Sequence, residues 1–145
     1  MKGMTVIVKK TTQLISGMVF LYGVYVVLHG HLTPGGGFAG GVILAGSFIL
    51  LILAYGSDFM HLTREESGTT ITENLAILIA LLIALAGMLI GTKVFFSNWL
   101  PEGKAGDLVS AGVIPLYNIF IGTEVAASIL TIFLALIIFK EEITK

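Results

Sequence analysis

The chain has 145 residues, of which 56% are hydrophobic and only 12% charged, where soluble domains carry about 25% charge. Its mean hydropathy is +1.00, so the polar material is too scarce to cover a water-exposed surface, and an ordinary soluble domain is excluded. A formal net charge of −1 leaves no basic stripe for binding nucleic acid, and the absence of cysteine removes disulfides, thiolate zinc sites and iron–sulfur ligation by this chain.

A hydrocarbon core about 30 Å thick needs roughly 20 apolar residues at about 1.5 Å rise each. Four segments meet this length, over approximately 11–28, 37–55, 74–96 and 115–139. Runs such as LAILIALLIALAGMLI do not alternate, which excludes the strands of a transmembrane barrel. The pattern predicts an all-α membrane protein with four transmembrane helices in a single integral membrane domain over 1–145.

The first span follows Lys2, Lys9 and Lys10. No A-x-A-like cleavage site comes after it, so it is expected to be a retained helix rather than a secretory signal. With both termini cytoplasmic, Lys2, Lys9, Lys10, Arg64, Lys140 and Lys145 fall inside and only Lys93 and Lys104 outside, the bias expected of a multi-pass plasma-membrane protein. Tyr22, Tyr25, Phe95, Phe96, Trp99 and Tyr117 then mark the outer interface.

Between the first two spans lies His29-Gly30-His31-Leu32-Thr33-Pro34-Gly35-Gly36-Gly37-Phe38-Ala39-Gly40-Gly41. Gly35, Gly37 and Gly40 match G-x-G-x-x-G, but no strand precedes them, so a dinucleotide fingerprint is excluded. Pro34 and the glycines permit a sharp reversal. Gly37, Gly41 and Ala45 recur every four residues and predict a face on which another backbone approaches closely. Free N–H groups at this helix start can also attract an anion or line a wet vestibule. His29 and His31 can titrate or ligate a metal, but two histidines do not complete a site; bonds to backbone carbonyls or headgroups are the plainer role. No metal site is expected.

The third span carries Ala76, Ala80 and Ala84, then Gly87 and Gly91, a second small-residue face. Glu73 is expected to cap its start, and Lys93 to snorkel from its outer end. The charge clusters Arg64-Glu65-Glu66 and Lys140-Glu141-Glu142 read as solvated helix ends or as partner contacts.

In the fourth span, Glu124 lies about 14 Å below the outer end, nine residues after Pro115. An insertion cost of about 2.5–3.5 kcal/mol requires it to face protein or water. Tyr117, Glu124, Ser128, Thr131 and Ala135 share one helical side. Two roles are open to this stripe: a proton or cation relay, or a carboxyl tied structurally to Ser128 or a neighbouring helix.

The run from His31 to Ala45, with its PGGGF-x-GG core directly after a lysine-led span, resembles the signature of the MnhB/MrpB family. The resemblance extends over essentially the whole chain. It implies a small, non-catalytic subunit of a multi-subunit Mrp-type sodium/proton antiporter, with other membrane subunits as partners, sodium ions and protons as cargo, and no redox centre or cofactor of its own. The segment from Pro115 to Val125 looks more like the version found in membrane-bound hydrogenases and related respiratory complexes. A purely structural scaffold subunit of a respiratory ion-pumping complex and a self-sufficient homo-oligomeric small transporter or channel are the competing expectations; against the latter, no matching pair of broken helices is present.

Overall fold

The computed structural model describes residues 4–56 and 66–143, and every regular element among them is helical. Helix α1 spans Val6–Leu28, α2 Gly36–Tyr55, α3 Glu66–Gly87 and α4 Ile114–Ile143. A π-helical turn, Met88–Thr92, extends α3. All four helices are long and apolar enough to cross a membrane.

Helix α1 begins five residues before the expected span because Lys9 and Lys10 are good helix formers that extend it past the apolar run. Helix α3 also begins earlier than hydropathy suggests, at Glu66, and Thr72 Oγ1 donates 2.9 Å to the Gly68 carbonyl inside it. Glu73 is therefore an interior residue and not a cap, which corrects the expectation above. The third span also ends sooner, at Thr92 and not at Phe96. Lys93 and Phe96 take positive φ angles of 53° and 62°, and the chain folds back so that Ser97 and Trp99 lie against Gly87, where a Cβ would stand 2.7 Å from the Ser97 hydroxyl. Lys2, Arg64, Glu65 and Lys145 lie outside the described residues.

Helix α2 occupies the middle of the fold, packed against α1 on one side and α4 on the other, while α3 packs chiefly on α4. The helices thus form a row in the order α1, α2, α4, α3. At the end bearing Lys9 and Lys140, the α2–α4 contact is made by large side chains: Ile52, Leu134 and Ile137 are buried, with Leu130 and Phe133 against them. At the opposite end, the glycine-rich turn sits beside the connection over residues 93–113. Broad apolar faces remain exposed, for example Leu89 at 85% and Leu81 at 46%, as expected of helices whose solvent is lipid or other membrane chains.

Candidate functional site

Reversal between α1 and α2 depends on backbone geometry that glycine alone adopts easily. His29 caps α1, Thr33 Oγ1 donates 3.1 Å to the His29 carbonyl, and Gly35 and Gly36 have φ angles of 122° and 62°. Helix α2 starts at once, with Gly37, Gly41 and Ala45 buried along one face. That face meets α4. A Cβ on Gly41 would lie 2.5 Å from the Gly122 carbonyl oxygen and 2.9 Å from Val125 Cβ, and one on Gly37 would strike the Asn118 carbonyl. Gly40 faces α1, where a Cβ would strike Val27. Val27 also closes on Gly122, where an added Cβ would come within 2.8 Å. The motif is therefore a three-helix contact in which backbone meets backbone.

Asn118 ties this contact to the turn. Its Oδ1 accepts 3.2 Å from the Gly37 N–H, one of the donors left open at a helix start. Its Nδ2 is buried with no partner among the described residues. Neither Asn118 nor Gly122 is singled out by the sequence reading. The signal available was their i, i+4 spacing with Val125 at i+7, a small and polar face about 130° round the helix from Glu124.

The histidines hold backbone. The His29 Nδ1 lies 3.0 Å from the Tyr25 carbonyl, with the ring stacked on Tyr25 at 4.0 Å. The His31 Nε2 lies 3.4 Å from the Asp107 carbonyl. A carbonyl only accepts, so the ring nitrogen is the donor in each of these bonds. No group of three metal-capable side chains occurs among the described residues. Pro34 and Phe38 are exposed at the turn and the start of α2.

Glu124 occupies the other flank of α4 and is half-buried against α3. Its carboxylate Oε1 accepts 3.2 Å from the Ser128 hydroxyl. Beside it is a cavity of about 120 Å³, lined by Ala76, Ile77 and Ala80 of α3 and by Phe120 and Ile121. Small alanines let α3 approach, yet the contact does not close around the carboxylate. Thr131 turns its hydroxyl to the Ala127 carbonyl at 3.0 Å, so it shares the side of the helix without joining Glu124 directly. Tyr117 lies two turns away; its hydroxyl is buried with no partner among the described residues, and its ring is 5.4 Å from that of Phe96. The structure therefore joins Glu124 to Ser128 and leaves Tyr117 and Thr131 as neighbours along the stripe.

Residues 7–131 match the family model described as a domain related to the MnhB subunit of Na+/H+ antiporter. An uncharacterized protein of Methanocaldococcus jannaschii is 36% identical over 88% of this chain and 50% of its own length. A Na(+)/H(+) antiporter subunit from Bacillus subtilis is 47% identical over 34% of each chain. Among solved structures, a chain of the membrane-bound sulfane sulfur reductase, an archaeal respiratory membrane complex, superposes with a TM-score of 0.71 at 30% identity, over 89% of this chain and 56% of that one. The chain thus spans only half, or about half, the length of the relatives that it matches most extensively. With the family match running through the glycine turn, the α2–α4 contact and Glu124, this multi-pass membrane protein belongs to the MnhB family.

Proposed function

We propose that this chain is a non-catalytic membrane subunit of a multi-subunit sodium/proton antiporter module, in which it helps to form or seal the ion pathway. The observation that carries the proposal is Glu124, a carboxylate within an apolar span that borders a small open pocket between α3 and α4. A charged group there is costly unless protein or water receives it. Ser128 supplies one hydrogen bond, and the cavity leaves room beside the carboxylate for a proton carrier or a cation. Similarity to an antiporter subunit and to a chain of a respiratory complex supports the assembly role. The partners are other membrane subunits of an antiporter or of a respiratory pump, and the chain works in the plasma membrane with no cofactor of its own.

Glu124→Gln tests the role of the carboxylate, because it keeps size and most hydrogen bonding while removing titration. In sealed vesicles containing the assembled complex, sodium-dependent or proton-coupled transport falls strongly while subunit composition is unchanged. Unaltered transport across pH would make Glu124 structural and route the ions through other subunits.

The orientation belongs to the same proposal, with both termini cytoplasmic. Single cysteines at Thr33 and Glu102 react with an impermeant reagent from outside, and one at Glu66 does not. The reversed labelling would overturn it.

A further inference from the structure

A groove of about 440 Å³ runs between α1 and α2, lined only by residues of these two helices: Gln13, Ser16, Gly17 and Phe20 on one wall, and Ser47, Phe48, Leu51 and Tyr55 on the other. Its two ends differ. At the shallow end, the Lys9 ammonium lies over the Tyr55 ring at 5.5 Å, and the single Tyr55 hydroxyl proton is shared between the Lys9 carbonyl and Gln13 Oε1, both at 3.4 Å. Lys10 is exposed on the same turn. Neither α1 nor α2 contains a single Asp or Glu, so both walls of the groove lack an acidic residue. Farther in, the Ser16 and Ser47 hydroxyls donate to carbonyls of their own helices at 3.2 and 2.6 Å, which leaves an apolar floor. The deep end is marked by the edge-to-face pair of Phe20 and Phe48, with ring centroids 5.8 Å apart.

We infer that this groove holds one acyl chain of an anionic phospholipid, with the headgroup phosphate at Lys9 and Lys10. Three observations fix the occupant. Lys9, Gln13, Ser16, Gly17 and Phe20 recur at the spacing of one helix face. The eleven steps from Lys9 to Phe20 advance about 16 Å, the depth of one leaflet of a core about 30 Å thick. A basic mouth at the membrane surface over an apolar slot between helices matches a phosphodiester joined to a hydrocarbon tail. A partner helix would need neither the paired lysines at one end nor a slot that stops at mid-membrane.

The test is native mass spectrometry of the full chain, with whatever subunits copurify, released from nanodiscs of equal parts phosphatidylglycerol and phosphatidylcholine. The expected result is selective retention of phosphatidylglycerol, weakened about thirtyfold by the double variant Lys9→Gln/Lys10→Gln, in line with a roughly fivefold contribution from each interfacial lysine. Lys104→Gln, far along the chain in the 93–113 connection, leaves retention unchanged. Gly17→Leu places a branched side chain in the slot, at a position where a Cβ meets nothing within 4 Å; it removes the retained lipid while helical content by circular dichroism stays the same. Equal retention of the two lipids, or persistence of phosphatidylglycerol on Gly17→Leu, overturns the inference. So does loss of a copurifying subunit on Gly17→Leu with lipid retention intact, which would assign the groove to a partner helix.

Discussion

The two flanks of α4 are built to opposite standards. Toward α2, Asn118, Gly122 and Val125 meet Gly37 and Gly41 so closely that no methyl group fits at either glycine. Toward α3, alanines at 76 and 80 bring the helices together, yet a cavity of about 120 Å³ remains beside the Glu124 carboxylate. In a bilayer the hydrophobic effect does not press helices together, so association rests on packing and on hydrogen bonds between helices. The closed flank supplies both, through backbone contact and the Asn118 bond to Gly37. The open flank gives up part of that packing around a group that is expensive to bury. The contrast separates a flank closed by backbone contact from one that leaves space beside a carboxylate.

The harshest way to break the closed flank is Gly41→Leu. Overpacking a well-filled interior costs typically about 1–3 kcal/mol, occasionally more, and here the first obstacle is the Gly122 carbonyl at 2.5 Å, a backbone atom that no rotamer change can move. The expected outcome is a lower melting temperature and loss of copurifying subunits. An intact complex of unchanged stability would show that this contact does not support assembly. Glu124→Gln addresses the open flank with the opposite signature, a strong loss of transport at unchanged stability. The pair of results distinguishes scaffold from pathway more sharply than either alone.

Asn118→Ala removes the side chain that reaches from α4 to the start of α2. The Gly37 N–H then loses its acceptor, and a net hydrogen bond is worth about 0.5–1.5 kcal/mol. The melting temperature should fall by a correspondingly modest amount, with subunits retained. A fall as large as that for Gly41→Leu would mean that the hydrogen bond, and not the backbone contact, dominates the closed flank.

Four helices and the Gly37, Gly41 and Ala45 face were legible in the sequence because lipid enforces long apolar runs and because small residues four apart have few other uses in them. Helix ends were less legible. Hydropathy reports where the chain meets hydrocarbon, whereas Lys9, Lys10 and the threonines after Glu66 can continue a helix into water, and Glu73 consequently falls inside α3 and not at its start. The partner face of α4 was harder still. Asn118, three residues from the helix-starting proline, looks like any polar residue near a membrane surface until Gly37 is placed opposite it. For Glu124, spacing alone predicted the bond to Ser128 as one of two roles, but not the cavity, which depends on how α3 crosses α4.

The smallest expected effect uses a glycine that the closed flank does not employ. Gly46 lies five residues after Gly41 in α2, but on a side where an added Cβ meets nothing within 4 Å. If α2 were rich in glycine merely for flexibility, Gly46→Ala and Gly41→Ala would behave alike. If close approach is the reason, they differ in sign. Alanine in a helix interior is favoured over glycine by up to about 1 kcal/mol in water, so Gly46→Ala should leave the melting temperature unchanged or slightly raised, with all subunits present. Gly41→Ala, carrying the same single methyl group into the Gly122 carbonyl, should lower it. Equal destabilisation by the two substitutions would place a contact of the assembled complex on the Gly46 side as well, and the distinction between a closed face and an open one on α2 would fail.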